Sequence, residues 1–263
     1  MDIGGLRFDR EKGDSVMENV VELKGVEKTF RDFWMRPLAL AVRGIDLEVR
    51  RGDVFGLIGP NGSGKSTTIK MILGLIRPTR GSVKLFGRNP RDKAARARLG
   101  YLPELSHLHE FLTAEETVRY YAGLSGLSRA HTCRRVSELL EELGLADVRR
   151  RPVGGFSKGM ARRVAIAAAL VASPELLVLD EPTSGLDPIG TREVKELVAK
   201  LAAGGMTVLI TSHQLFDVQD ICNRVAILAG GKKVGGGEVA EIVANAHDKR
   251  HALEEYFEER LKS

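Results

Sequence analysis

The chain has 263 residues, 43% hydrophobic and 29% charged, enough for one large α/β domain or two small ones with a sizeable buried core. Its 40 basic and 35 acidic residues give a formal charge of +5, a mild excess on a mixed-sign surface rather than a basic stripe, so nothing about nucleic acid follows from charge. Cys133 and Cys222 are too few and too isolated for a disulfide framework or a zinc site, which favours a reducing compartment. The longest purely apolar run, Val164 to Ala172, falls far short of the ~20 residues that span a bilayer.

In chain order, residues 1–19 mix Asp2, Arg7, Asp9, Arg10, Glu11, Lys12 and Asp14 with little apolar content, so they lack a signal-peptide core and are expected to form a flexible leader. Val20 to Phe30 and Ile45 to Val49 alternate apolar with polar residues, the period of half-buried strands. Between them, Arg31 to Ala41 carries Phe33, Trp34 and Pro37 and reads as an irregular excursion. Asp53 to Ile58 is a short, largely apolar run, and Thr67 to Leu73 has helical periodicity.

The stretch between that run and that helix is Gly59-Pro60-Asn61-Gly62-Ser63-Gly64-Lys65-Ser66-Thr67, which fits G-x-x-x-x-G-K-[ST]. Strand, glycine loop and helix follow in the order a phosphate-binding loop requires. Glycines let the backbone curl so that successive N–H groups point at phosphate oxygens, and the following helix adds its positive end. Lys65 would reach the β/γ-phosphates, and Ser66 would place a hard hydroxyl oxygen where Mg²⁺ should sit.

Beyond the loop, Pro78 and Gly81 mark a turn before a strand at Ser82 to Phe86. Thr113 to Gly144 is helical, with Val118, Tyr121 and Leu124 on one face and Val136, Leu139, Leu140 and Leu143 on another. Ser157 precedes a helix from Lys158 to Ala172 that Pro174 stops. Leu176 to Leu179 is a continuous apolar run of the kind buried inside a parallel sheet, and it ends in Asp180-Glu181. Strands recur at Thr207–Thr211 and Val225–Leu228, with helices at Asp187–Leu201 and Leu215–Ile221. Ala252 to Leu261 is an amphipathic helix with Leu253, Phe257 and Leu261 on one stripe, expected to pack on its own domain. The alternation implies an α/β fold around a parallel sheet. At the end of the acidic strand, Asp180 and Glu181 match what a phosphate-loop ATPase needs: one carboxylate to hold hydrated Mg²⁺ and one to polarise the attacking water. As neighbours in a strand they should point opposite ways and take different roles.

With these residues in view, the sequence resembles the ATP-binding subunits of ABC transporters from about Val20 to Gly237. The match includes Gly100-Tyr101-Leu102-Pro103-Glu104 at the lid loop, Phe156-Ser157-Lys158-Gly159-Met160 at the signature, Asp180 to Asp187 at the acidic strand and its following loop, and Thr211-Ser212-His213 at the switch histidine. The resemblance implies a P-loop NTPase core with a mostly parallel sheet, an N-terminal antiparallel β layer and an inserted helical subdomain at about residues 105–172. The ATPase domain is expected over 20–237, with a C-terminal helical segment at 238–263.

The resemblance further implies that Glu181 is the general base, His213 contacts the γ-phosphate, and Ser184 to Asp187 run along a dimer interface. It puts Phe30 against adenine, with Phe33 or Trp34 as substitutes, and Ser66, Glu104 and Asp180 around Mg²⁺. Ser157 is also a good N-cap on a helix whose free N–H groups favour an anion. In the family that helix end, with Gly159, completes the site of the opposite subunit, which implies two ATP molecules in a head-to-tail dimer. ATP and Mg²⁺ are therefore the expected ligands. The expected partners are a second ATPase subunit and separate transmembrane permease subunits that hold the chain at the cytoplasmic face of the membrane. No nucleic-acid partner is expected, although a soluble ABC ATPase acting on nucleic acid or the ribosome is the alternative reading.

Two positions depart from the family pattern. The signature usually reads Leu-Ser-Gly-Gly-Gln, and this chain keeps Ser157 and Gly159 but has Met160 where glutamine is usual. The lid loop usually carries glutamine where Glu104 stands. Both variants resemble a subgroup of exporter-type subunits whose membrane subunits are separate chains.

Overall fold

Alternating apolar and polar residues open the structure, a computed structural model that describes residues 18–262, with a long antiparallel hairpin of β1 (Asn19–Arg31) and β2 (Pro37–Arg50). Then follow β3 (Val54–Ile58), α1 (Lys65–Ile72), β4 (Arg80–Leu85), α2 (Lys93–Arg96), β5 (Leu99–Leu102), α3 (Ala114–Leu124), α4 (Arg129–Glu142) and α5 (Lys158–Leu170). The chain continues with β6 (Leu176–Asp180), α6 (Pro188–Ala203), β7 (Thr207–Ser212), α7 (Leu215–Ile221), β8 (Arg224–Ala229), β9 (Lys232–Glu238), α8 (Val239–Asn245) and α9 (Ala252–Lys262). It divides into two compact units, one running to Arg96 and resuming at Leu201, the other covering Ala97–Lys200.

The first unit holds two sheets. One is antiparallel, in the order β2-β1-β4, and is the N-terminal β layer expected from the alternation. In the other, β3 lies between β7 and β8, parallel to both, and β9 closes on β8 antiparallel. All five residues of β3 and all six of β7 are buried, as strands covered on both faces must be. Each fully buried Leu, Ile or Val side chain contributes about 1.5–3 kcal/mol relative to exposure, and Leu57, Ile58, Val208 and Leu209 all reach that state.

The second unit pairs β5 with β6 in parallel and carries α3, α4 and α5. Helix α3 starts with a reciprocal cap: the Thr113 hydroxyl accepts from the Glu116 N–H (3.2 Å) while the Glu116 carboxylate accepts from the Thr113 N–H (2.9 Å). The result is the α/β architecture anticipated, with parallel strands and an antiparallel N-terminal sheet.

Several elements differ from the sequence reading. The excursion from Arg31 to Ala41 is mostly strand: Thr29 pairs with Leu40, Phe30 with Ala39 and Arg31 with Pro37, leaving a tight turn at 32–36. Proline was the misleading signal, since it suits the first residue of an edge strand, where no ladder N–H is needed. The helical stretch at 113–144 is two helices broken at 125–128. β9 was not anticipated, because the glycines Gly235 to Gly237 mask the strand pattern, whereas α8 falls within the helical segment expected at 238–263. β1 begins at Asn19, the last residue assigned to the leader, and residues 1–17 lie outside those described. Among the described residues, no helix is long and apolar enough to cross a membrane.

Candidate functional site

In the first unit, the phosphate loop leaves β3 at Gly59 and enters α1 at Lys65. Gly59 has φ +152°, and a Cβ there would sit 2.1 Å from the Leu228 carbonyl oxygen, so no other residue fits the departure from the strand. Gly64, the residue before α1, has φ +104°, and a Cβ on it would meet the Ala41 carbonyl at 2.7 Å. The β1–β2 hairpin therefore passes directly over the loop. Lys65 is buried and donates to the Gly59 carbonyl (2.7 Å) and the Pro60 carbonyl (3.3 Å), curling back over its own loop. Pro60, Asn61, Gly62 and Ser66 are exposed, and Thr67 is half-buried.

Ser63 Oγ is buried without a hydrogen-bond partner among the described residues. An orphaned hydroxyl inside a glycine loop is the mark of a cradle shaped for a polar guest. A phosphate oxygen fits that position and the positive end of α1.

His213 follows β7 directly. Ile58 of β3 pairs with Ser212 of β7, so the loop and the histidine emerge from adjacent ends of two neighbouring parallel strands. Ser212 fixes the turn around His213 from both sides: its hydroxyl accepts from the Gln214 N–H (2.9 Å) and donates to the Gln214 carbonyl (3.2 Å). Phe30 is half-exposed in the hairpin with Lys28 Nζ 5.3 Å from its ring centroid. Phe33 and Trp34 lie in the hairpin turn, edge to face at 5.5 Å, and are 92% and 72% exposed.

In the second unit, Leu102 of β5 pairs with Leu179 of β6, which brings Pro103-Glu104 and Asp180-Glu181 to the same end of that strand pair. Asp180 and Glu181 are buried. Glu181 does not continue the strand as the alternation argument supposed. It adopts φ +49°, a left-handed conformation costly for a residue with a side chain, and its carbonyl accepts from the Ser184 N–H in the turn that follows. The backbone of the two acidic residues thus diverges through a sharp turn, not through strand alternation.

Glu104 is exposed, and its loop is held from α5: the Arg162 guanidinium donates to the Pro103 carbonyl (3.2 Å) and to the Glu104 carbonyl through both terminal nitrogens (3.1 Å each). Burial lowers the Arg162 pKa, opposed by the charge of Glu104. The Tyr101 hydroxyl hydrogen-bonds Asp180. Neither Tyr101 nor Arg162 carried a signal in the sequence as a partner of those acids; 58 residues separate Arg162 from Glu104.

Ser157 caps α5, its hydroxyl accepting from the Met160 N–H at 3.2 Å, as the sequence suggested. A Cβ on Gly159 would come within 3.7 Å of Gly190 on α6. Asp187 caps that helix, accepting from the Gly190 N–H at 2.7 Å, so the signature glycine and the loop aspartate belong to one packed corner.

The ABC transporter family profile matches residues 42–184. An uncharacterized ABC transporter ATP-binding protein of Synechocystis is 39% identical over 238 residues, an alignment covering 89% of this chain and 67% of that protein. The Nod factor export ATP-binding protein I of Cupriavidus pinatubonensis is 37% identical over 226 residues, covering 85% and 68%. A dimeric, post-hydrolysis structure of an ATP-binding cassette bound to ADP and Pi superposes with a TM-score of 0.73 at 27% identity, over 83% of this chain and 98% of that one.

Proposed function

The chain belongs to the ABC transporter family as an ATP-binding subunit, and on that premise we propose that it works as one of a pair of ATPase subunits driving export through separate membrane subunits. ATP binding and hydrolysis are the activity of the family. The observation that carries the assignment is the register of β3 with β7, because it sets Gly59 and His213 side by side as a phosphate cradle and a candidate γ-phosphate contact.

In this reading the backbone N–H groups of Asn61, Gly62 and Gly64 to Thr67, the orphaned Ser63 hydroxyl and the Lys65 ammonium bind the phosphates. Ser66, Glu104 and Asp180 are the oxygen donors that would hold Mg²⁺, a set suited to a hard cation, and the metal would neutralise charge on the phosphates. Glu181, turned out of its strand by its positive φ, takes the proton of the attacking water, and His213 contacts the γ-phosphate. Phe30 offers a ring to the adenine. Ser157 and Gly159, at the capped end of α5, face the ATP of the opposite subunit, with Asp187 beside them at the interface. The similar ATP-binding cassette bound to ADP and Pi is dimeric, which supports the pairing of two such subunits.

The domain plan proposed is an ATPase domain that starts with β1 at Asn19 and runs to 237, with the helical subdomain at about 105–172 and a C-terminal segment at 238–263. The second unit exposes Leu105, Phe111, Tyr120 and Leu124, an apolar surface suited to a membrane subunit at the cytoplasmic face. The export direction follows the relative named for Nod factor export. A soluble ATPase acting on nucleic acid or the ribosome finds no support among these relatives.

Affinity purification of the tagged chain from detergent-solubilised native membranes is expected to recover a multi-span membrane protein, with ATPase activity lost in Lys65→Ala. Recovery of ribosomal or nucleic-acid components instead, with no membrane protein, would overturn the proposal.

A further inference from the structure

Helix α7 begins two residues after His213, and its sequence does little to hold it. It has seven residues and no side-chain N-cap, and helices that short are marginal on propensity alone. Its inner face is seated on β3. A Cβ on Gly56 would stand 2.6 Å from Val218 Cγ1 and 3.2 Å from Cys222 Sγ, so the strand leading into the phosphate loop has been pared to glycine to let α7 approach.

The neighbouring flank of α7 is held by the C-terminal segment. Gln219 uses both ends of its amide: Nε2 donates to the Lys249 carbonyl (2.8 Å) and the Arg250 carbonyl (3.3 Å), and Oε1 accepts from the Leu253 N–H (3.0 Å). That N–H belongs to the first turn of α9 and has no partner within the helix. Ala252 and Leu253 are fully buried. The segment is anchored a second time on β9, where the Tyr256 hydroxyl meets both the N–H (3.3 Å) and the carbonyl (3.4 Å) of Gly236. Between these anchors, the Glu255 carboxylate gathers the N–H groups of His247 and Asp248 and shapes the approach to α9.

We propose that Gln219 is a positioning residue for hydrolysis: by tying the flank of α7 to the C-terminal segment while Val218 and Cys222 seat the helix on Gly56, it fixes the Ser212–Gln214 turn that presents His213. The C-terminal helix thereby serves the hydrolytic site without touching nucleotide. Loss of the clamp leaves the phosphate loop intact and lets the histidine wander, which lowers turnover rather than binding. The inference rests on the reading of His213 as the γ-phosphate contact.

The test uses full-length Gln219→Met, which keeps side-chain length and removes all three hydrogen bonds, and Tyr256→Phe, which loosens α9 from its other anchor. Nucleotide Kd is measured by equilibrium binding, kcat by steady-state hydrolysis well below the unfolding temperature, and each variant is repeated in a His213→Ala background. Gln219→Met is expected to lower kcat by about tenfold, within the hundredfold that a 1 Å misplacement can cost, with Kd within about twofold of wild type. Tyr256→Phe should change kcat in the same direction by less. In the His213→Ala background Gln219→Met should have no further effect. An equal loss in both backgrounds, an unchanged kcat, or a parallel loss of affinity would overturn the inference while leaving the role of His213 standing. Wild-type turnover in His213→Ala alone would instead remove the premise and the inference with it.

Discussion

Tyr101 on β5 hydrogen-bonds Asp180 at the end of β6, and the pairing of Leu102 with Leu179 makes that contact possible. Burial, and then the neighbouring Asp180 charge, push the phenol from its ordinary 10.0 up to about 12. The hydroxyl therefore keeps its proton past pH 10 and donates to the carboxylate proposed as a metal ligand. A raised pKa in the folded state adds nothing to stability changes below pH 10, where both states keep the proton. As pH climbs from 10 towards 12, only the unfolded chain ionises, so this contribution to stability is lost. Unfolding temperatures measured from pH 9 upward should fall less steeply in Tyr101→Phe than in wild type. Identical slopes would show that the phenol does not titrate late.

Lys65→Ala is expected to abolish nucleotide binding, because the ammonium stands over the Gly59 and Pro60 carbonyls at the mouth of the loop. Gly59→Ala should do the same for a different reason, a Cβ driven to 2.1 Å from the Leu228 carbonyl. Both are read by equilibrium titration with a fluorescent ATP analogue. Wild-type affinity in Lys65→Ala would refute the loop assignment.

Glu181→Gln should bind ATP normally, stop hydrolysing it and accumulate an ATP-dependent dimer, since the proposed base and the proposed binding groups are separate residues. Removing a general base typically costs about 10²- to 10⁴-fold in rate. Light scattering in ATP and Mg²⁺ checks the dimer; a persistent monomer counts against the sandwich.

Ser157→Arg should poison activity in trans, because the capped end of α5 is assigned to the partner's nucleotide. Mixed with Lys65→Ala, it can assemble one site free of both defects, so residual turnover is expected. A mixture as dead as either variant alone, with mixed dimers demonstrated, removes the cross-subunit placement.

Glu104 puts a negative charge where the family usually has an amide, and in the proposed reading that charge adds to the demand on the metal. With the backbone pinned by Arg162, the side chain can be changed while the loop stays in place. Glu104→Gln should keep ATPase activity with a lower Mg²⁺ requirement, and Glu104→Ala should raise the requirement because a ligand is gone. Superimposable Mg²⁺ titrations for the three proteins would leave Glu104 a loop residue only.

What was legible in the sequence is what short-range chemistry encodes. Glycine spacing from Gly59 to Gly64 announces a backbone curl, the apolar run before Asp180 announces a buried strand, and Ser157 before a helical period announces a cap. Each depends on neighbours within one turn or one strand, so each survives being read without a fold. Tertiary structure decided the rest. The hairpin ladder that carries β2 back to Pro37 is paid out by pairing with β1, not by the local propensity of Arg31 to Ala41. The strand registers Ile58 with Ser212 and Leu102 with Leu179 come from burying two apolar faces at once. The contacts of Tyr101 with Asp180, Arg162 with the Glu104 carbonyl, and Gln219 with the C-terminal segment join residues 79, 58 and up to 34 positions apart. No local pattern selects such partners, because the buried donors and acceptors that need satisfying exist only once the helices have packed on the strands.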